Sequence, residues 1–180
     1  MSLLEKYVEI PVDKLVHADW NYKKTDDKAS LELMEKLKKN IAKNDQIENL
    51  LIREAKAEGY FEVVNGNHRL TALEALNKKS AVCFNLGKIT QAHAERIAVE
   101  TNETKFAADP LKLAELMVNI QKEFSVEDLI ETMPMSADEI ENYTKLVEFD
   151  WEQYNEESNI DNNPDDTDIQ NNEGWRNLDI

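Results

Sequence analysis

One segment restricts the fold more than any other: two strand-like runs joined by a short turn lead, without a linker, into a glycine and then a helix. Glu48 to Glu54 (ENLLIRE) and Tyr60 to Val64 (YFEVV) are rich in apolar and β-branched residues. AKAEG lies between them and ends in Gly59, so a β-hairpin is expected. Asn65-Gly66-Asn67-His68-Arg69 follows at once, and Leu70, Leu73 and Leu76 then recur at helical spacing. A strand that becomes a helix over a single glycine presents the helix's free amides and positive dipole end at the turn. Such a corner is suited to anions.

The flanking pattern supplies the rest of a small sheet. Tyr7 to Ile10 alternates, Pro11 interrupts it, and Val12 to Val16 resumes an apolar run, which predicts two short strands about a turn. His17 to Asp27 is polar and reads as a loop carrying Trp20 and Tyr22. Leu31, Met34, Leu37 and Ile41 form the apolar stripe of an amphipathic helix. Lys36, Lys38, Lys39 and Lys43 on its other face read as solvated. Ser80 to Leu86 is another strand, ended by Gly87. From Thr90 onward the pattern is helical, over roughly 91–104, 110–124, 126–133 and 137–149. Asp109 before Pro110, then Ser125 and Ser136, are the expected N-caps. The fold class is therefore α+β: a small mixed sheet with helices, then an all-helical half. The expected division is 1–88, 89–149 and a tail over 150–180.

Charge limits function. The chain has 180 residues and a formal net charge of −16. Residues 150–180 hold ten acids and one base, a net of −9, and the remainder carries −7. The asparagine-rich tail, interrupted by Pro164, lacks the apolar surface to offset ordering entropy and is expected to be mostly disordered and solubilising. Its Trp151, Tyr154 and Trp175 could dock on the body or on a protein partner. So acidic a chain repels phosphate backbones over most of its surface, which argues against general nucleic-acid affinity. No run of about 18 apolar residues predicts a membrane span. The opening MSLLEKYVEI lacks a signal peptide's hydrophobic stretch. The single cysteine, Cys83, excludes a disulfide framework and fits a reducing cytoplasm.

The chemistry concentrates at the strand-to-helix corner. Gly66 permits a positive φ or close backbone approach. Arg69 offers a permanent bidentate phosphate ligand, and His68 can donate to an anion or titrate near neutrality. Gly66, Asn67, His68, Arg69 and Thr71 are thus the candidate nucleotide- or phosphate-binding residues.

Val63 to Leu73 (VVNGNHRLTAL) resembles the strand–GxxR–helix motif of the ParB/sulfiredoxin superfamily. Partition proteins of that superfamily carry Gly-Glu-Arg-Arg there and sulfiredoxins Gly-Cys-His-Arg. Its free-serine kinases carry an acidic residue followed by Gly-x-His-Arg. The IPVDKL opening, the following helix and the ENLLIRE strand fit the same order. Downstream, Ala98 to Asn102 (AVETN) followed by Asp109-Pro110 resembles the family's Glu-Asn metal and phosphate motif and its Asn-Pro. The resemblance makes Asn102 the metal-linked residue, with Glu100 substituting for the family's glutamate, which Thr101 replaces. Ser125 to Ile130 and Met135 to Leu146 resemble the two helices of a helix-turn-helix.

The departures narrow what the resemblance implies. Asn67 stands where sulfiredoxins have cysteine, so sulfinate reduction is set aside. Asn65 replaces the kinases' acidic residue, leaving Asp19 as the candidate catalytic base. Residues 112–149 hold three lysines and nine acids, and Asp138, Glu139 and Glu141 occupy the first turns of the would-be recognition helix. Autonomous DNA binding is therefore not expected. The resemblance implies a ParB-like protein that binds a nucleoside triphosphate, CTP or ATP, with Mg²⁺. Nucleotide state would switch conformation or homodimerisation in a partition-, phage- or plasmid-related role. Two other readings stay open: a small-molecule kinase, nuclease or other phosphotransferase of the same fold, and a non-catalytic acidic adaptor or nucleic-acid mimic.

Overall fold

The computed structural model describes residues 3–149. The expectations for the acidic tail, including Trp151, Tyr154 and Trp175, fall outside the described residues. Five strands and six α-helices are present among those described. β1 (Tyr7–Pro11), β2 (Leu15–His17), β3 (Leu50–Glu54), β4 (Phe61–Asn65) and β5 (Ser80–Asn85) form one mixed sheet in the order β1-β5-β3-β4-β2. β3 and β4 are the expected antiparallel hairpin, while β3 lies parallel to β5 and β2 parallel to β4. The predicted run from Val12 to Val16 divides: Val12–Lys14 makes a 3₁₀ turn, and only Leu15–His17 enters the sheet.

Side-chain alternation along the central strands divides the core between two faces. Leu50, Ile52 and Val63 point to one face, under α1 (Lys28–Asn44) and α2 (Asn67–Ala75), together with Ile41, Leu70, Leu73 and Cys83. Val64 and Leu51 point to the other, against Ala94, Ala98 and Ile97 of α3 (Gln91–Glu103). Helices thus cover both faces, and α3 packs on the sheet although its sequence pattern begins the helical run. A separate core of Met117, Leu129 and Ile140 joins α4 (Pro110–Ile120), α5 (Val126–Thr132) and α6 (Ala137–Glu148).

Helix boundaries follow local chemistry. Asp109, Ser125 and Ser136 cap α4, α5 and α6 with their side chains, and Ser136 and Glu139 complete a capping box. Two features of α1 differ from the sequence reading. Leu31 is exposed in the first turn of α1, and the stripe meets the core only from Met34 through Leu37 to Ile41. The lysine face is not wholly solvated: Lys36 Nζ donates to the Met135 carbonyl (2.8 Å), and Lys39 pairs with Glu131 (3.7 Å). These contacts tie α1 to the α5–α6 region.

Candidate functional site at the β4–α2 corner

β4 ends at Asn65, and Gly66 turns the chain with φ +104° and ψ 21°, a left-handed conformation open mainly to glycine. α2 then starts without any side-chain cap, although α1, α3, α4, α5 and α6 each have one. Its first amides therefore stand open at the turn. The turn borders a cleft of about 160 Å³ lined by Gly66, Asn67, His68 and Arg69. Residues 20–23 of the loop after β2, Leu37 of α1, Val64 and Asn65 of β4, and Ala98 and Asn102 of α3 complete the lining. The sheet, the loop and α3 thus bring sequence-distant residues around one space.

The predicted residues take different parts. Asn102 reaches the cleft, 33 to 36 positions beyond the corner. Glu100 does not: its carboxylate accepts from Arg96 Nε (2.7 Å), one turn back on the same helix. Thr101 turns into its own helix, donating to the Ile97 carbonyl (2.8 Å), and accepts from Asn65 Nδ2 (2.9 Å). Asn67 is buried, and its amide is used structurally. Oδ1 accepts from the Ala18 N–H (3.0 Å), and Nδ2 donates to the Val63 carbonyl (3.0 Å). Thr71 stays outside the cleft lining and donates to the Asn67 carbonyl (3.2 Å). Asp19 borders a different, open groove of about 420 Å³, with His17, Arg53, Lys56 and Glu62. No carboxylate lines the cleft among the described residues.

His68 Nε2 donates to the Lys24 carbonyl (3.1 Å), which fastens the 20–24 loop to the start of α2. Arg69 folds back over the turn: Nη1 donates to the Asn49 carbonyl (3.1 Å), and Nη2 forms an ion pair with Glu48. Burial lowers the pKa of this guanidinium, and Glu48 opposes the shift. Arg69, expected as a free phosphate ligand, instead meets a carboxylate that the hairpin brings to it from just before β3. Arg69 also borders a larger cavity of about 410 Å³ between α1, the 45–48 segment and Pro134.

The polar loop expected after β2 is present, but its part in the site, above all that of Lys23, is not among the sequence expectations. Lys23 Nζ pairs with Glu103 at the end of α3 (2.6 Å), and Tyr22 Oη donates to the same carboxylate oxygen (2.8 Å). The Lys23 hydrogen bond, with Tyr22 second, holds the Glu103 carboxyl below its ordinary range, and Glu103 in turn raises Lys23. Trp20 Nε1 donates to Glu62 (2.7 Å), whose other oxygen accepts from the buried Arg53 (2.7 Å), so this wall of the cleft is braced. Trp20 and Tyr22 in a polar loop were the available signal.

Among the described residues no group of three His, Cys, Asp or Glu side chains is placed to hold a metal. Of the predicted metal pair, Asn102 lines the cleft and Glu100 does not. No described helix is long and apolar enough to cross a membrane.

No curated protein matches the chain. Among solved structures it is similar to the C-terminally truncated chromosome-partitioning protein ParB from Caulobacter crescentus complexed with CTP-γ-S. Identity is 17% and the TM-score 0.66, with 87% of each chain covered. The same protein complexed to the centromeric parS site matches at 17% identity and TM-score 0.46, covering 85% of this chain and 78% of that one. Sulfiredoxin from Arabidopsis thaliana matches at 17% identity and TM-score 0.38, covering 52% of this chain and 96% of that one. The fold, α+β with a mixed five-stranded sheet, is thus like that of the ParB complexed with CTP-γ-S. The ParB N-terminal domain model matches residues 3–103, the span that holds the sheet, the corner and α3, and the chain belongs to that family.

Proposed function

We propose that the protein binds a nucleoside triphosphate, CTP or ATP, with its phosphates at the β4–α2 corner, and that nucleotide state acts as a conformational switch in a partition-, phage- or plasmid-related role. One observation carries the reading: α2 alone among the six described α-helices lacks a side-chain cap, and its start opens onto a cleft that also holds Lys23, Arg69 and Asn102. Open amides and two cations suit a polyanion. The likeness to a ParB complexed with CTP-γ-S supports a nucleotide as that anion. Asn102, at the last turn of α3, would touch the phosphates or their magnesium and report their presence to the helices beyond.

The kinase or nuclease reading needs a base at the cleft, and Asp19 borders another groove. DNA reading through α6 finds no support either. Glu139 serves the capping box and Glu141 pairs with Lys145 (2.8 Å), which leaves acids on the face that would meet phosphate.

Calorimetry of the full chain with each of the four ribonucleoside triphosphates and Mg²⁺ tests the proposal. Saturable heat with at least one supports it, and Arg69→Ala should weaken that binding about tenfold or more while the chain stays folded. Absence of binding with all four overturns it.

A further inference from the structure

Two cations border the cleft, and each is held by a glutamate of this chain. Arg69 pairs with Glu48, which precedes β3, and Lys23 with Glu103, the last residue of α3. In both pairs the cation is the sheltered member and the carboxylate the exposed one: 20% against 75% side-chain exposure for Arg69 and Glu48, 36% against 56% for Lys23 and Glu103. Neither glutamate lines the cleft, whereas both cations do. The carboxylates therefore approach from the rim, and each can turn into water without uncovering core.

We infer that Lys23 and Arg69 are the paired phosphate ligands of the site, and that Glu103 and Glu48 are resident counter-anions which the bound phosphate displaces. The inference rests on the nucleotide reading above and adds to it a cost of entry at each of the two cations. A phosphate group carries more charge and more acceptor oxygens than a carboxylate, so it competes well for both cations inside a partly desolvated cleft. Exposed ion pairs are individually modest, so each exchange lowers affinity by a small factor rather than preventing binding. The exchange at Lys23 has a mechanical consequence. Glu103 accepts from both Lys23 and Tyr22, so its release uncouples the 20–24 loop from the end of α3, directly before the segment leading to α4. Phosphate binding is thereby converted into freedom between the sheet domain and the helices that follow.

The test compares wild type, Glu48→Gln, Glu103→Gln and the double variant by calorimetry with CTP and with ATP, each with Mg²⁺. Glu95→Gln is the control, since it removes one charge from the same helix where the carboxylate accepts from Gln91 and not from a cation of the cleft. Each of the two variants should tighten binding about threefold to tenfold relative to Glu95→Gln, and the double variant further. Thermal unfolding should show all variants folded. If wild type binds and neither variant binds more tightly than the control, the resident-anion role is overturned while the nucleotide reading stands. If wild type binds neither nucleotide, the inference falls together with the binding of these two nucleotides.

Discussion

Asn67 joins Ala18 to the corner: its Oδ1 accepts from the Ala18 N–H at 3.0 Å while its Nδ2 donates to the Val63 carbonyl at 3.0 Å. One buried side chain thus fixes the exit of β2 against the end of β4, and with it the base of the loop that carries Trp20 and Lys23. The residue that replaces the family's glutamate or cysteine at this position is a structural bracket.

Replacing Asn67 by Ala removes the acceptor of the buried Ala18 N–H and one donor to the Val63 carbonyl. The expected loss is about 3 kcal/mol of stability in urea unfolding, given that an orphaned buried group costs about 1–3 kcal/mol. Asn67→Asp keeps the acceptor for Ala18 but sets a carboxylate against the Val63 carbonyl. That variant should be destabilised near neutrality and recover as pH falls, because protonation restores a donor and the folded state then holds the proton more tightly than the unfolded one. Equal stability of Asn67→Asp across that range would contradict the bracket.

Gly66 is the second point where a single substitution should be costly. Its φ is +104°, and a Cβ there would lie 2.6 Å from Leu50 Cδ2 and 3.2 Å from Arg69 Nη1. Leu50 is fully buried, so the clash cannot be relieved outward. Gly66→Ala should cost about 3 kcal/mol from the strained conformation and overpacking together. Gly59→Ala, at φ +78° with nothing within 4 Å, should cost only about 1 kcal/mol. Parallel denaturant titrations of the two variants give the comparison, and similar losses would show that the close packing at Gly66 does not matter.

Cys83 is fully buried in β5, where burial pushes its thiol pKa up to about 12 from an ordinary value of 9.0. Between those values the unfolded chain loses the proton and the folded chain keeps it, so stability should fall as pH rises through that window and be complete below it. Cys83→Ala, whatever its cost in packing, should lack this part of the decline. Thiol-reagent labelling at about pH 8 should proceed only as fast as the protein opens. Rapid labelling of the folded protein would contradict the burial.

Much of the fold could be read in advance because it depends on local rules. Gly59 and the flanking β-branched runs dictate the hairpin, Asp109-Pro110 starts α4, and Ser136 with Glu139 starts α6. Leu50, Ile52 and Val63 alternate with Leu51 and Val64, which is enough to place a sheet between two apolar layers. The short strand Leu15–His17 was less distinct, since a three-residue element has almost no pattern of its own and its parallel pairing with β4 is set by the partner strand.

The chemical character of the corner was determined by sequence alone: a glycine, a histidine and an arginine at a strand-to-helix turn, in a chain otherwise strongly acidic. Which neighbours those groups meet was decided only in three dimensions. The closure of the hairpin carries Glu48 to Arg69, and the packing of α3 on the sheet brings Asn102 to the cleft and Glu103 to Lys23. These partners lie 21, about 35 and 80 positions apart, and side chains that far apart leave no periodic signature. Their meeting depends on the burial of two apolar faces, a property of the whole sheet rather than of any segment in it.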